Sequence, residues 1–173
     1  MPKHLILVGL PGAGKSTAGR LLAERLATHC TDIDPMIERA TGMTVAELFA
    51  EEGEGAFRDR ERRAVLQSLD LPPHVVAPGG GWAAEPGNIE AVDQLAVTVW
   101  LAIDPATAAA RLEGDRSRPL LEQGPPGAVL ADLARDRAPF YRKAAAQVDV
   151  SALTPTEVAD RLLTVARERA GWS

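Results

Sequence analysis

Five short runs that fit strands, three of them mainly apolar, are spaced along the chain, and stretches with helical periodicity or helix-start signals separate them. Continuous apolar runs of this length are typical of strands that are buried on both faces of a sheet. The runs are HLILV (His4–Val8), HCTDID (29–34), HVVAP (74–78), AVTVWLAI (96–103) and QVDV (147–150). Because strands that alternate with helices are joined by crossovers, we predict an α/β three-layer sandwich: a five-stranded parallel sheet with helices on both faces.

Polar residues mark where the helices of this pattern begin. Thr44 and Thr154 each stand three residues before a glutamate, which is the signature of a capping box. Asp104 is followed by Pro105, which predicts an N-cap and a first helical residue. Apolar spacing predicts further helices over residues 15–27, 56–69 and about 128–145, and a short helix from Thr44 through Phe49.

Composition narrows the class of protein. With 173 residues, 46% of them hydrophobic, the chain can bury a sizeable core, and we predict one domain spanning residues 1–173. Residues 113–127 are rich in Gly, Pro and charge, and we predict that they form a mobile lid inserted in this domain. A net charge of −5 argues against general nucleic-acid binding. The lone cysteine, Cys30, excludes an internal disulfide, and we expect it to be a small core residue.

Neither a signal-peptide pattern nor an apolar run long enough to cross a bilayer is found in the sequence, so we expect a cytoplasmic protein with no membrane partner.

The first run is followed by GLPGAGKST, which contains the complete pattern Gly9-x4-Gly14-Lys15-Ser16. Glycines let such a loop curl so that its N–H groups point inward, and the following helix presents its positive end to phosphates. The motif predicts that Lys15 contacts the β- and γ-phosphates of a nucleotide and that Ser16 binds Mg²⁺. The alternative is a glycine-rich turn that binds nothing.

A nucleotide site of this kind also needs a carboxylate near the metal. Asp32 and Asp34 flank Ile33, so in an extended segment both side chains point to the same side. We predict that this pair is functional. Asp104 also follows an apolar strand, but the helix cap is the favoured interpretation for it.

Arginines and a glycine run indicate a second, anionic substrate. Arg58 lies near a helix start, where a positive charge opposes the helix dipole. Guanidinium groups match a carboxylate bidentately, and the run Gly79–Gly81 exposes backbone to close approach. The other arginines in candidate stretches are Arg116, Arg118, Arg135, Arg137 and Arg142.

Taken in order, these stretches resemble the shikimate kinases, within the nucleoside-monophosphate-kinase-like group of P-loop proteins. The resemblance covers nearly the whole chain and rests on GLPGAGKST, DIDPMIERATGMTVAELFAEEGEGAFRDRE, PGGG, RPLL and RAPFY. It implies a P-loop kinase fold with a five-stranded parallel sheet. It also implies phosphoryl transfer from ATP to the 3-hydroxyl of shikimate in aromatic amino acid biosynthesis, and a monomer.

The resemblance also assigns roles to residues. Asp34 would hold the shikimate hydroxyls and accept the reacting proton, while Arg58 and Arg137 would bind the carboxylate. Gly79, Gly80 and Gly81 would line the ring site, and Arg118 would close over the transferring phosphate. Ser16, and Asp32 through water, would hold Mg²⁺. The nucleotide would contact Gly12, Ala13, Gly14, Lys15, Ser16, Thr17, Arg111, Arg118 and Pro155, with Arg111 and Pro155 on either side of the adenine.

Two positions depart from the pattern expected of this family. Trp82 follows the glycines where a smaller residue is expected, so it either packs in the core or crowds the acceptor pocket. Leu153 stands where some relatives carry a basic residue near the adenine.

Other functions fit part of the sequence. A kinase for another polyol acid such as gluconate would carry the same P-loop, although PGGG and RPLL favour shikimate. A non-catalytic P-loop module that regulates a partner would bind nucleotide without turnover. Nucleic-acid binding is disfavoured because no aromatic residues interleave the arginines as a stacking platform.

Overall fold

Five strands pair into a single parallel sheet in the structure, a computed structural model that describes residues 1–115 and 119–173. The strands are β1 (His4–Val8), β2 (Cys30–Asp32), β3 (Val75–Ala77), β4 (Ala96–Ala102) and β5 (Ala146–Asp149). Their order is β2-β3-β1-β4-β5, and every neighbouring pair is parallel. The predicted five-stranded parallel sheet is therefore confirmed.

Seven helices accompany the sheet in the described residues. They are α1 (Lys15–Arg25), α2 (Ile33–Thr41), α3 (Val45–Ser68), α4 (Asn88–Val92), α5 (Pro105–Arg111), α6 (Pro126–Tyr141) and α7 (Pro155–Ala170). Two short 3₁₀ helices lie at Trp82–Ala84 and Pro119–Gln123. None of these described helices combines the length and the apolar character needed to cross a bilayer.

Alternation along β1 divides the core into two layers. Leu5 and Leu7 are fully buried against the side of the sheet that α1 and α7 cover. Ile6 is fully buried and Val8 almost so on the opposite side, where they join residues of α2 and α3. The predicted three-layer sandwich is confirmed, and its layers follow from the two-residue period of a strand. Cys30 packs against the first core, and burial followed by the charge of Asp32 raises the pKa of its thiol to about 12.

The segment after β2 differs from the prediction. We expected residues 29–34 to be extended, but β2 ends at Asp32 and α2 begins at Ile33. Asp32 has extended dihedral angles at the N-cap position, and Asp34 lies in the first helical turn. A proline such as Pro35 is tolerated in a first turn, and an acidic residue is favoured there, so the sequence does carry a helix-start signal.

The two helices predicted around residues 44–69 form one continuous run with a break. Gly53 interrupts α3 with φ 84° and ψ 167°, a conformation that favours glycine. Arg60 donates to both carboxylate oxygens of Glu52 across this break, at 2.9 and 2.8 Å. The break therefore changes the direction of the chain just before Arg58.

The predicted lid segment is partly helical. The 3₁₀ helix Pro119–Gln123 lies within it, and α6 begins at Pro126 instead of the expected residue 128. The lid residues Arg116 and Arg118 lie outside the described residues, and motion of the lid stays a prediction. At its other end α6 stops at Tyr141 instead of the expected residue 145, and β5 begins at Ala146.

The predicted helix caps are confirmed. Both threonines form complete capping boxes: Thr44 with Glu47, and Thr154 with Glu157. Asp104 accepts a hydrogen bond from the Thr107 N–H at 3.0 Å, which confirms it as a cap of α5.

Candidate active site

A pocket of about 460 Å³ brings most of the predicted site residues together. It lies beyond the carboxyl ends of the central strands, where parallel α/β sheets usually bind ligands. The predicted residues that line it are Gly12, Gly14, Lys15, Ser16, Thr17, Asp32, Asp34, Arg58, Gly79, Gly80, Gly81, Arg111 and Arg137. The structure thus joins the loop after β1 to arginines from α3 and α6.

The glycine-rich loop runs from the end of β1 to the start of α1. Gly14 adopts φ 84° immediately before the helix, a left-handed conformation that suits glycine. Lys15 is buried, and its ammonium group donates to the carbonyls of Gly9 at 2.9 Å and Leu10 at 3.0 Å. The first turn of α1 contains no acidic residue, so lysine and helix dipole together give this end of the pocket a positive character.

Three residues assigned to nucleotide contacts lie less centrally. Ala13 is buried in the core beneath the loop, and its N–H donates to the Leu10 carbonyl at 3.1 Å. Arg111 lines the pocket and reaches the Gly12 carbonyl at 3.4 Å. Pro155 is exposed at the first position of α7 and is not among the lining residues. Adenine contacts by Arg111 and Pro155 therefore stay predictions.

The two candidate carboxylates enter the pocket from the junction of β2 and α2. Asp32 is the last residue of β2, and Asp34 is in the first turn of α2. Both line the pocket, which agrees with side chains that point to the same side, but the extended geometry assumed for them is wrong, and their function stays a prediction. The turn from strand into helix brings them together.

The residues at this end fit a magnesium ion. No group of three or more His, Cys, Asp or Glu side chains within the described ranges is arranged to hold a metal. Mg²⁺ needs fewer protein ligands, because it keeps several waters and binds substrate phosphates with one or two carboxylates. The Ser16 hydroxyl and the Asp32 carboxylate line the same pocket and supply that kind of donor set.

Arg58 is held in a buried ion pair on α3. Its guanidinium donates to Glu61 Oε2 at 2.7 Å and to Glu54 Oε1 at 3.3 Å. It also lies 5.5 Å from the ring centre of Phe57 and 5.8 Å from that of Phe49. Burial opposes its charge, but attraction to Glu61 and Glu54 outweighs burial and raises the pKa of Arg58. This cation is therefore fixed in one place.

Glu61 is a site residue that the sequence analysis missed. It is fully buried, and its Oε1 accepts a hydrogen bond from the Gly79 N–H at 2.8 Å. Burial raises the pKa of Glu61, Arg58 counteracts this, and the nearby Asp34 carboxylate adds to the rise. A glutamate three residues after Arg58 on a helix was the available signal, since such pairs are neighbours.

The three glycines allow close packing around the two arginines. A Cβ at Gly79 would lie 2.5 Å from Glu61 Oε1, and a Cβ at Gly81 would overlap the Arg58 guanidinium. A Cβ at Gly80 would lie 2.8 Å from Pro11 Cδ and 3.1 Å from Arg137 Nη1. We expected this run to expose N–H groups to a ligand, but the N–H of Gly79 is bound to Glu61.

Only one arginine of the RDRAPFYRK stretch belongs to the pocket. Arg137 is 7% exposed and lines the pocket, and its Nη1 is buried without a hydrogen-bond partner among the described residues. Arg135 is exposed and pairs with Asp132 and Asp136, each at 3.2 Å, and Arg142 is exposed on the surface. Helical spacing separates Arg137 from its neighbours.

Comparison with known proteins agrees with this geometry. The family model described as Shikimate kinase matches residues 11–167. The chain belongs to the shikimate kinase family. It is 45% identical over 158 residues to the shikimate kinase of Thermobifida fusca, covering 90% of each chain. It is 40% identical over 166 residues to that of Caulobacter vibrioides, covering 96% of this chain and 83% of the relative.

Solved structures of the shikimate kinase family share the fold. Shikimate kinase from Acinetobacter baumannii in complex with shikimate matches with a TM-score of 0.91 and 33% identity, covering 98% of this chain and 96% of that one. A gluconokinase from Sinorhizobium meliloti covers 98% of this chain and 94% of its own with a TM-score of 0.60, but at 16% identity it shows the fold alone. The predicted α/β P-loop kinase fold is confirmed.

Trp82, the departure from the family pattern, packs in the core. Its side chain is 1% exposed within the layer that contains Phe57 and Tyr141, and it is not among the pocket-lining residues. Asn88 donates to the Trp82 carbonyl at 2.8 Å and holds the turn after the glycines. Trp82 therefore does not narrow the pocket directly.

Proposed function

We propose that this kinase transfers the γ-phosphoryl group of ATP to the 3-hydroxyl of shikimate, as a step in aromatic amino acid biosynthesis. The observation that carries the proposal is that two buried arginines on different helices share a pocket with the glycine-rich loop. A small acid with hydroxyl groups matches this combination of guanidinium groups and carboxylates.

Arg58 and Arg137 bind the carboxylate of shikimate. The Nη1 group of Arg137 is a buried donor without a partner among the described residues, and the acceptor carboxylate supplies the missing acceptor atom. Hydrogen bonds to charged groups are worth about 1.5–3 kcal/mol each, so the two arginines discriminate strongly against analogues without a carboxylate. Gly79, Gly80 and Gly81 line the ring of the acceptor.

Asp34 holds the hydroxyls and accepts the proton of the reacting hydroxyl. Its position in the first turn of α2 directs it into the pocket, close enough to Glu61 to influence the pKa of that carboxyl. A carboxylate within hydrogen-bond reach of the attacking hydroxyl orients the nucleophile, which is the main contribution a protein makes to phosphoryl transfer.

The nucleotide phosphates lie on the loop and the start of α1. The residues assigned to them are Gly12, Ala13, Gly14, Lys15, Ser16 and Thr17, with Arg118 of the lid and the adenine contacts Arg111 and Pro155. Lys15 neutralises charge on the β- and γ-phosphates, where the transition state spreads it. Mg²⁺, when held by Ser16 and, through water, by Asp32, would supply further positive charge at the same place.

Water must be kept from the phosphoryl group, because it competes with the acceptor hydroxyl. Pro119, Leu120 and Leu121 of the lid segment line the pocket and offer an apolar cover. Closure of this segment over bound substrates excludes water and brings Arg118 to the phosphate. The lid motion, the monomeric state, the single domain and the cytoplasmic location all stay predictions of this proposal.

Acceptor-dependent ADP release tests the proposal. The purified protein is assayed with ATP and Mg²⁺ in the presence of shikimate, gluconate or no acceptor. ADP release that depends on shikimate supports the proposal. ADP release with gluconate alone would show that the protein is a kinase whose acceptor is not shikimate. Nucleotide binding without turnover on either acceptor would instead favour a regulatory module.

A further inference from the structure

Tyr141 links the last turn of α6 to the glycine run. Its hydroxyl donates to the Gly80 carbonyl at 2.6 Å, and the side chain is 1% exposed. It is the only tyrosine in the chain, and it is not among the residues that line the pocket. It therefore contacts the site from behind.

The hydrogen bond lies between two parts of the site whose separation matters for the proposed reaction: the Arg137 guanidinium and the glycine-rich loop. Arg137 precedes Tyr141 by four residues, so both side chains lie on one face of α6. Gly80 is wedged between Arg137 Nη1 and Pro11 of the glycine-rich loop, at 3.1 and 2.8 Å from the position of a Cβ. The Gly80 peptide thus separates the carboxylate-binding arginine from the nucleotide loop.

We propose that Tyr141 is a positioning residue for the acceptor: by fixing the Gly80 peptide, it sets the distance between the Arg137 guanidinium and the nucleotide loop. This inference rests on the proposed function, since it concerns where the shikimate carboxylate is held.

The chemistry of the bond supports this role. A buried carbonyl that loses its donor is costly, so this short hydrogen bond, together with the close packing against Pro11 and Arg137, holds the Gly80 peptide in one orientation. Burial raises the pKa of Tyr141, while the charge of Arg137, a side-chain hydrogen bond with Arg137 and the charge of Arg58 act in the opposite direction. The hydroxyl therefore stays protonated and donates at neutral pH.

The substitution Tyr141→Phe removes the hydroxyl and keeps the ring. The ring packs at 5.7 Å from the Trp100 ring centre, so the fold should persist. We expect the KM for shikimate to rise about tenfold, as loss of one buried hydrogen bond implies, while kcat and the KM for ATP change less than twofold. Ser68→Ala is the matched control, because Ser68 also donates a buried hydroxyl to a backbone carbonyl, at 2.7 Å, away from the pocket.

Coupling to Arg137 distinguishes positioning from a general loss of stability. If Tyr141 acts through Arg137, the double variant Tyr141→Phe/Arg137→Ala should have nearly the same KM for shikimate as Arg137→Ala alone. The guanidinium that Tyr141 positions is already absent from that background. An equal factor in both backgrounds, or equal losses for ATP and shikimate, would overturn the inference. Unchanged kinetics in Tyr141→Phe would do the same.

A spectroscopic test uses the unmutated sequence. Because Tyr141 is the only tyrosine, growth on 3-fluorotyrosine places one ¹⁹F label at this ring. We expect the ¹⁹F resonance to shift on addition of shikimate and to shift little with a non-hydrolysable ATP analogue. If the enzyme phosphorylates shikimate but the ¹⁹F resonance does not shift when shikimate is added, this inference is overturned and the proposed function is not. A wild-type protein that neither binds nor phosphorylates shikimate overturns the proposed function and this inference together.

Discussion

The pocket has two halves that are built in different ways. The donor half is the loop and helix start over residues 9–17, which are contiguous in the sequence and hydrogen-bond to one another. The acceptor half consists of Arg58, Glu61, Gly79–Gly81 and Arg137, which come from three separate stretches and pack on one another. A change in the donor half should therefore act locally, whereas a change in the acceptor half should spread to its neighbours.

The largest expected effect separates chemistry from acceptor binding. Lys15→Ala removes the charge that stabilises the developing phosphate, and loss of one such donor typically lowers kcat about 10²–10³-fold. Calorimetry should show that shikimate affinity changes less than threefold. Lys3→Ala is the matched control, because Lys3 donates to the Asp93 carbonyl on the surface, at 2.9 Å. A comparable loss of shikimate binding in Lys15→Ala would mean that the two halves are not independent.

On the acceptor side we expect a smaller effect of the opposite kind, in which shikimate binding is lost and ATP binding is kept. Arg137→Ala should raise the KM for shikimate by roughly 10–100-fold, the value of a charged hydrogen bond, and leave ATP binding nearly unchanged. Arg58→Ala should act in the same direction and also lower the free energy of unfolding, because it leaves Glu61 buried without its cation.

A control for the acceptor side lies two residues away. Arg135→Ala removes an exposed arginine of α6 that pairs only with surface aspartates among the described residues, so both KM values should stay within twofold. Equal losses for ATP and shikimate in Arg137→Ala would contradict the assignment of this residue to the acceptor half.

The same contrast explains how far the sequence could be interpreted. The donor half was predictable because a short motif fixes its conformation locally, and the central strands β1, β3 and β4 were predictable because burial imposes an apolar pattern. Arg58 and Arg137 were placed by resemblance, but their spacing alone did not separate Arg137 from Arg135. Glu61 was missed, because the desolvation that makes it important exists only after α3 packs against the glycine run.

Asp34 shows the opposite error: it lines the pocket as expected, but the expectation was derived from a wrong local structure. The extended geometry assumed for residues 29–34 failed because helix α2 starts at Ile33. In a strand and in the first turn of a helix alike, the side chain can reach the carboxyl end of the sheet. Tertiary position therefore matched the prediction while the secondary structure did not.

The smallest expected effect concerns the capping box, which occurs at the start of both α3 and α7. Thr44 and Thr154 form equivalent capping boxes, and Thr→Ala at either should lower the free energy of unfolding by about 1 kcal/mol, measured by urea denaturation. Thr44 begins the helix whose Val45 and Phe49 line the pocket, with the Phe49 ring centre 5.8 Å from Arg58 of the acceptor half, whereas Thr154 precedes Pro155, the residue assigned to adenine. Thr44→Ala should therefore raise only the KM for shikimate, and Thr154→Ala only that for ATP, each about twofold.

The serine variants at both positions keep the capping hydroxyl, so they should restore stability and both KM values. If Thr44→Ala and Thr154→Ala moved the two KM values alike, loss of stability alone would account for them, and Pro155 would lose its support as an adenine contact. If Thr44→Ala raised the KM for shikimate as expected but Thr154→Ala left the KM for ATP unchanged, the acceptor half would still depend on its helix start, and Pro155 would lose its assignment as an adenine contact.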